Sequence, residues 1–412
     1  MNYLNHITAR FNACKMDFKA SRKIFLLSIW VLFFPAGIMA QEGFEAVWSQ
    51  IEKNNTTLAA YKAYNEAEKL ENLSGIYLPN PEAEFALLWG NPSSIGKRTN
   101  IEVGQSFEFP TVYGHRMKAA RGKNNISDLE YAKLRYELRY QVREICIRLI
   151  YFNALSLELE SRYEHAKAIS EAYSKMYEKG ACNVLDYNKA RLAMLNEKKA
   201  VETIDVESQE LLSSLQGLNG GIPLEYKESG FQPVSVPVDF NQWYAGISKN
   251  NPDLSLMGVQ TQVKQTEIAL SRAMSLPHFS VGYMREALVE EQFQGFVVGM
   301  SIPLWENKNA VKKSKAELHV AECQAIDFQT SYLNEMQALY QKALSLQSLS
   351  NEYQSILNEL NHTSLLRIAL EKGEISLVDY LVELSLYYET INKSLECQRD
   401  LQLVMALLEK YN

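Results

Sequence analysis

The stretch EKGACNVLDY at residues 178–187 recurs as EKGEISLVDY at residues 371–380. Each copy lies between long sequences with helical character. The glycines Gly180 and Gly373 stand where a helix must end, because glycine adopts the left-handed conformation of a helix C-terminus without steric cost. The repeated stretch therefore predicts that a long helix stops in each half of the chain.

The residues after each glycine predict that a second helix starts at once. Asn183 and Ser376 follow at the same distance, and both residue types are strong N-caps. Asp186 and Asp379 come three residues later, where a carboxylate can reach back toward the cap and favours the positive end of the helix dipole. Helix capping alone accounts for these aspartates, so a further role needs independent support. The repeated stretch is a tight turn between two antiparallel helices.

The duplication extends well beyond the turn. Pro110 and Pro303 are 193 residues apart, and so are Glu178 and Glu371. The segment between proline and turn therefore has the same length in both halves, which chance rarely produces. An internal repeat of this size determines the whole architecture.

Each half reads as helix, two strands, long helix, turn and return helix. Apolar residues alternate with small or polar ones in four short runs, which is typical of strands and also of membrane-barrel strands. Apolar residues spaced alternately by four and three in the long helices indicate coiled-coil packing. Residues 44–74 read as one helix-compatible stretch. We predict a first repeat at 41–230 (strands about 81–90 and 99–109, long helix about 111–179, return helix about 183–217) and a second at 231–412 (strands about 277–287 and 292–302, long helix about 305–372, return helix about 376–411).

The N-terminal segment has the pattern of a secretory signal peptide, predicted at residues 1–40 with Met16 as an alternative start. Basic residues precede the apolar run IFLLSIWVLFF, and a small residue, Ala40, follows. The apolar run is shorter than the roughly 20 residues that span a bilayer. The sequence therefore predicts export.

Composition and motifs argue against several classes of function. The formal net charge is -7 and no basic cluster occurs, which disfavours a nucleic-acid partner. The histidines are isolated and no catalytic or phosphate-binding motif is found, so we predict no enzyme activity. We also predict no cofactor and no metal centre, because no clustered ligand set is evident.

Four strands cannot close a membrane barrel alone, since barrels begin near 8 strands, and lipid does not tolerate an open sheet edge. Two alternatives remain. Several chains complete one barrel by rotational symmetry, or the strands form a non-membrane domain of a periplasmic or surface coiled-coil scaffold.

The two turns, the junction prolines Pro110 and Pro303 and the paired KNN motifs at 53–55 and 249–251 together resemble the TolC-like outer-membrane efflux proteins, especially the heavy-metal and multidrug branch. The resemblance covers nearly the whole mature chain. It implies a mainly α fold with a small β part, in which a homotrimer forms a 12-stranded outer-membrane barrel continuous with a periplasmic helical tunnel. It further implies passive efflux of metal cations or drugs in a Gram-negative bacterium, with a periplasmic adaptor and an inner-membrane pump of the resistance-nodulation-division type as partners.

The resemblance also assigns roles to the turn residues. Asp186 and Asp379 match positions of an acidic, cation-selective ring at the tunnel tip. Where some relatives carry a further acid in the second turn, this chain has Val382. The candidate tip and adaptor-contact residues are Glu178, Lys179, Gly180, Asn183, Tyr187, Glu371, Lys372, Gly373, Ser376 and Tyr380.

Overall fold

The computed structural model describes residues 43–359 and 363–411. The predicted signal peptide at residues 1–40 lies outside the described residues. Two sets of elements follow each other in the same order, with α7 and α8 in the place of the single helix α3, which confirms the predicted duplicated unit. The elements are α1 (Phe44–Asn54), α2 (Thr56–Leu73), β1 (Glu82–Trp89), β2 (Lys97–Phe107), α3 (Pro110–Glu178), α4 (Val184–Leu218), α5 (Phe240–Asn250), α6 (Pro252–Ala273), β3 (His278–Ala287), β4 (Gln292–Ser301), α7 (Ala310–Glu359), α8 (Thr363–Glu371) and α9 (Leu377–Leu408).

A buried asparagine divides the helical stretch that opens each half. Asn55 ends α1 and caps α2, and its side chain accepts a hydrogen bond from the amide of Leu58 at 2.7 Å. Asn251 does the same between α5 and α6, accepting from the amide of Asp253 at 2.7 Å. Each KNN motif therefore marks a break between two helices, and the reading of residues 44–74 as one helix was wrong. The cause is that the asparagine side chain competes for backbone amides.

The first long helix runs without interruption for 69 residues, about 100 Å at 1.5 Å per residue. Pro110 is its first residue, where a missing amide hydrogen costs nothing. The equivalent helix α7 begins at Ala310, later than predicted. Pro303 instead precedes a turn that ends at Asn309, whose φ of 70° stops a helix from extending back to the strand.

Each half has its own hydrophobic core at the middle of its long helices. In the first half, α1, α3 and α4 pack together with the connection that follows α4, and Leu149 and Leu215 are fully buried. In the second half, α5, α7 and α9 pack around a group of tyrosines that includes Tyr340. The assignment of residues 41–230 and 231–412 to two repeats stays a prediction.

The four strands form one antiparallel sheet in the order β1-β2-β3-β4. Strands β2 and β3 come from different halves, so the sheet joins the halves at their centre. The register places most of the apolar strand residues on one side, which we call the apolar face, whereas Leu88, Met284, Phe293 and Val297 lie on the opposite side. The apolar members of the apolar face are Ala83, Phe85, Leu87, Trp89, Ile101, Val103, Phe107, Phe279, Val281, Tyr283, Phe296, Val298 and Met300, and the polar residues Gln105, Arg285 and Gln294 lie on the same side.

The opposite side of the sheet, called the polar face here, carries mostly small or polar residues. Close packing between strands limits side-chain size there, since a Cβ at Gly282 would lie 3.0 Å from the carbonyl oxygen of Val103. Arg98 and Glu286 form an ion pair across it at 2.7 Å. Its other small or polar members include Glu82, Glu84, Asn100, Glu102, Gly104, Ser106, Ser280, Gly295, Gly299 and Ser301.

The apolar face is open to its surroundings. Phe296 is 90% exposed, Val298 78% and Trp89 72%. Within the described ranges, β1 and β4 each pair with a single strand, so both outer edges of the sheet keep unpaired backbone groups. The single chain therefore presents an uncovered apolar surface bounded by two free strand edges.

Candidate functional site: the paired helical turns

The first turn ends α3 with a pair of hydrogen bonds that satisfies its last carbonyls. The amide of Ala181 donates to the carbonyl oxygen of Met176 at 2.7 Å, and the amide of Gly180 donates to that of Tyr177 at 2.9 Å. Gly180 has a φ of 69°, the left-handed conformation that favours glycine. This is the Schellman arrangement of a helix C-terminus.

The second turn repeats this geometry at the end of α8. The amide of Glu374 donates to the carbonyl oxygen of Ala369 at 2.9 Å, and that of Gly373 donates to Leu370 at 3.0 Å. Gly373 has a φ of 74°. The recurrence of the EKG sequence thus has a direct cause in the backbone, because both helices end in the same way.

Both caps engage their aspartates as well as the backbone. The side chain of Asn183 accepts from the amide of Asp186 at 2.8 Å and donates to its carboxylate at 2.8 Å. Ser376 accepts from the amide of Asp379 at 3.1 Å and donates to its carboxylate at 2.6 Å. Each carboxylate therefore accepts a hydrogen bond from the side chain of its N-cap residue. Lys189 approaches Asp186 to 3.5 Å.

The candidate residues of the two turns differ in solvent exposure. Asp186 and Tyr187 are half-buried, and the ring of Tyr187 stacks on that of Tyr177 with centroids 5.0 Å apart. Tyr380, at the matching position of the second turn, is fully buried and offers no surface to a partner. The exposed candidates are Glu178, Lys179, Gly180, Asn183, Glu371, Lys372, Gly373, Ser376 and Asp379.

The buried Tyr380 takes part in a polar contact between the two helical hairpins, α3–α4 and α8–α9. Its hydroxyl shares a hydrogen bond with Nε2 of His165 on α3 at 2.9 Å, and the two rings pack edge to face. The other ring nitrogen of His165 lies 3.5 Å from the hydroxyl of Tyr388 on α9. Arg162, one turn before His165, places its guanidinium 4.3 Å from the centre of the Tyr388 ring. We call these four side chains the hairpin cluster.

Burial shifts the pKa values of side chains in the hairpin cluster and of the neighbouring Glu197. Arg162 is 4% exposed, and burial lowers its pKa from the ordinary value. Burial raises the pKa of Glu197 on α4, while the charge of Arg162 opposes that shift. Burial also raises the pKa of Tyr380 and of Tyr388 to about 12, so both hydroxyls stay protonated at neutral pH. Arg162, His165, Glu197 and Tyr388 line a cavity of about 180 Å³ between α3, α4 and α9.

We expect the packing of the two hairpins to weaken below about pH 6.5, because of His165. Burial first and the charge of Arg367 second lower the pKa of His165. The unfolded chain therefore binds a proton more readily than the folded chain, and stability falls as the pH drops below the ordinary histidine value. Between about pH 7.5 and about pH 5.5, the thermal midpoint of the wild type should fall a few degrees further than that of His165→Gln. Equal shifts in both proteins would contradict this assignment.

The described part of the chain contains no helix long and apolar enough to cross a membrane. Over the same ranges, no group of three or more His, Cys, Asp or Glu side chains is arranged to hold a metal ion.

No protein-family model matches the sequence, and no curated protein matches it. Solved structures do match over most of the chain. The crystal structure of CusC is 15% identical, with a TM-score of 0.76 over 90% of this chain and 91% of that one. The CmeC outer membrane channel of Campylobacter jejuni is 15% identical, with a TM-score of 0.74 over 89% of this chain and 85% of that one. The outer membrane protein VceC of Vibrio cholerae is 11% identical, with a TM-score of 0.71 over 89% of this chain and 94% of that one.

This chain has the TolC-like fold of outer-membrane channels. The likeness extends over about 90% of the chain, which confirms the predicted mainly α fold with a small β part. At identities of 11–15%, this chain and the matched structures share the arrangement of helices, strands and turns, and few of their residues are the same.

The hairpin cluster was not predicted from the sequence. His165 and Arg162 read as ordinary polar residues of a long helix, and the TolC-like fold alone brings them against α9. The one available signal was their spacing of three, which places both side chains on the same face of α3.

Proposed function

We propose that this protein is the outer-membrane channel subunit of a tripartite efflux system in a Gram-negative bacterium. Three copies form a 12-stranded barrel in the outer membrane, continued by a helical tunnel in the periplasm. The channel conducts passively, and a periplasmic adaptor and an inner-membrane pump of the resistance-nodulation-division type deliver the substrate. The chain acts without a cofactor and performs no chemistry itself.

The open sheet is the observation that supports this function most directly. A surface with Phe296 and Val298 almost fully exposed is unfavourable in water, and free edges at β1 and β4 are unfavourable in lipid. Both problems disappear if β1 of one copy pairs with β4 of the next and the ring closes with its apolar faces toward lipid. Three copies of four strands give 12, within the known range of membrane barrels.

The polar face fits the interior of a water-filled barrel. Its glycines and serines leave room, and its carboxylates include Glu82, Glu84 and Glu102. The Arg98–Glu286 ion pair lies on the same side. Interior positions of this kind suit passage of hydrated solutes, while the long helices extend the conduit by about 100 Å.

The exposed turn residues are proposed as the tunnel tip and as the contact with the adaptor. Asp186 and Asp379 carry the charge of the tip, and three copies place six carboxylates there. Such a ring attracts cations, which is consistent with metal cations or cationic drugs as cargo.

We expect the double variant Asp186→Asn with Asp379→Asn to lose cation selectivity. Asparagine keeps the size and the hydrogen-bond acceptor of each aspartate, so the caps at Asn183 and Ser376 remain engaged while six charges leave the trimer. In planar bilayers, the ratio of cation to anion permeability should fall by at least about twofold, because fixed carboxylates no longer concentrate cations at the entrance. An unchanged reversal potential would mean that both aspartates only cap their helices and do not select cations.

Extraction behaviour tests the membrane assignment itself. The channel predicts recovery from the outer-membrane fraction with detergent, as a trimer that dissociates on heating. A scaffold protein with a non-membrane sheet predicts release in salt buffer without detergent. Recovery of a stable detergent-free monomer would overturn the proposal.

A further inference from the structure

Helix α7 carries a histidine and a cysteine whose side chains approach each other on an exposed surface. His319 and Cys323 are one helical turn apart, and the sulfur of Cys323 lies 3.8 Å from Nε2 of His319. Both residues are exposed. The groove between α3, α6 and α7 is lined by other positions of α7, Ala316 and Val320 among them. In the single chain, the pair is therefore accessible to a solute and is not engaged in the packing of α7 against α3 and α6.

The separation of the two atoms suits chelation of one metal ion. A tetrahedral zinc ion binds sulfur at about 2.3 Å and imidazole nitrogen at about 2.0–2.1 Å, which places the two ligand atoms roughly 3.5 Å apart. The observed 3.8 Å needs only a small side-chain adjustment to reach this value. Residues four apart on a helix hold their side chains side by side, so the backbone already supplies the spacing.

The second nitrogen of the same imidazole faces a carboxylate. Nδ1 of His319 lies 3.9 Å from an oxygen of Glu322. A metal-bound histidine commonly donates its other N–H to a carboxylate, which fixes the tautomer and increases the basicity of the ligating nitrogen. Glu322 is placed to do this after a slight rotation, and it leaves Nε2 directed toward the sulfur.

The other thiols of the described residues lack these features. Cys146 and Cys397 are buried, and burial raises the pKa of the Cys146 thiol to about 12. Cys182 lies in the first turn, where its sulfur contacts the carbonyl oxygen of Tyr173 at 3.5 Å. Cys323 is thus the thiol that combines exposure with an imidazole at chelating distance.

We propose that Cys323 and His319 form a two-ligand binding site for a thiophilic cation such as Zn²⁺, with Glu322 orienting the imidazole. The thiol binds as thiolate, so one proton is released when the sulfur–metal bond forms. Water completes the coordination, which leaves the site open and the bound ion exchangeable. The site goes beyond the proposed channel function and does not depend on it.

Titration of the detergent-solubilised full chain with Zn²⁺ tests the proposal by calorimetry, and Co²⁺ provides an optical probe through its sulfur-to-metal charge-transfer band. We expect one ion per chain and proton release on binding. Cys323→Ser should lower the affinity at least about tenfold and abolish the band, because it removes the sulfur ligand. His319→Asn should lower the affinity at least about tenfold and keep a band only at higher Co²⁺ concentration, because the thiolate remains. Glu322→Gln should lower the affinity by about tenfold and keep the band, since second-shell changes commonly cost 10–100-fold.

Cys182→Ser is the matched control, because it removes an accessible thiol without a histidine beside it. It should leave both the affinity and the cobalt spectrum unchanged. Wild-type affinity in Cys323→Ser, or an equal loss in Cys182→Ser, would overturn the proposal. Neither measurement requires an intact conduit, so failure of the channel proposal and failure of this site are separate outcomes.

Discussion

Tyr380→Ala is expected to destabilise the packing between the two helical hairpins by about 3–5 kcal/mol, the usual cost of removing a large buried aromatic ring. Tyr380 is fully buried, and its ring packs edge to face on His165. Alanine would leave a cavity at this contact and would also remove the 2.9 Å hydrogen bond to His165. Thermal unfolding and protease cleavage near the second turn measure the effect, and both should report earlier opening in the variant.

The duplication supplies a matched control for this prediction. Tyr187 occupies the same position in the first turn, but it is half-buried and stacks on Tyr177. Tyr187→Ala should cost clearly less than Tyr380→Ala. Tyr380→Phe keeps the ring and should cost only about 1 kcal/mol, the net contribution of one hydrogen bond. Equal losses in the two alanine variants would mean that the environments of the two tyrosines do not differ as described.

Val298→Arg is expected to prevent stable insertion of the sheet, at a cost of about 2–4 kcal/mol per subunit for a charge facing the middle of the bilayer. Val298 lies on the apolar face of β4, paired with Val281 of β3, and is 78% exposed in the single chain. The amount of heat-sensitive trimer recovered from outer membranes should therefore drop strongly.

The neighbouring valine separates a lipid effect from a general strand effect. Val297 lies on the polar face of the same strand, paired with Gly282, so an arginine there points toward the interior of the proposed barrel. Val297→Arg should retain most of the trimer and change ion conduction instead. If both variants insert equally well, the apolar face does not contact lipid.

The turns were the part of the fold most fully encoded in local sequence. Gly180 and Gly373 have the predicted left-handed backbone, and Asn183 and Ser376 cap the following helices as expected. These features depend on hydrogen bonds within a few residues, which explains why they can be read from the chain. The alternation within each strand was predictable for a similar reason, because successive side chains of a strand point to opposite faces. The register that places the apolar sets of neighbouring strands on one side could not be predicted in this way.

Features that depend on packing between distant segments could not be predicted in this way. Tyr187 and Tyr380 belong to nearly identical stretches, yet one is half-buried and the other fully enclosed. The difference arises because α9 packs against α3 at the level of His165, a contact between residues 215 positions apart. The breaks at Asn55 and Asn251 were missed as well. Each asparagine starts a new helix because its side chain accepts a hydrogen bond from a backbone amide that follows it, and the sequence pattern does not show this bond.

The uncovered sheet has a consequence for the life of the newly made chain. Under the proposed function, each copy reaches the membrane before it assembles. Until then its strand edges can pair with other extended backbones, and its exposed valines and aromatic rings attract other apolar surfaces. In the proposed barrel, the sheet loses its free edges only when sister chains pair with it and its apolar face contacts lipid. The proposed assembly therefore calls for a holding chaperone, or for a sheet that stays unformed until the chain reaches the membrane.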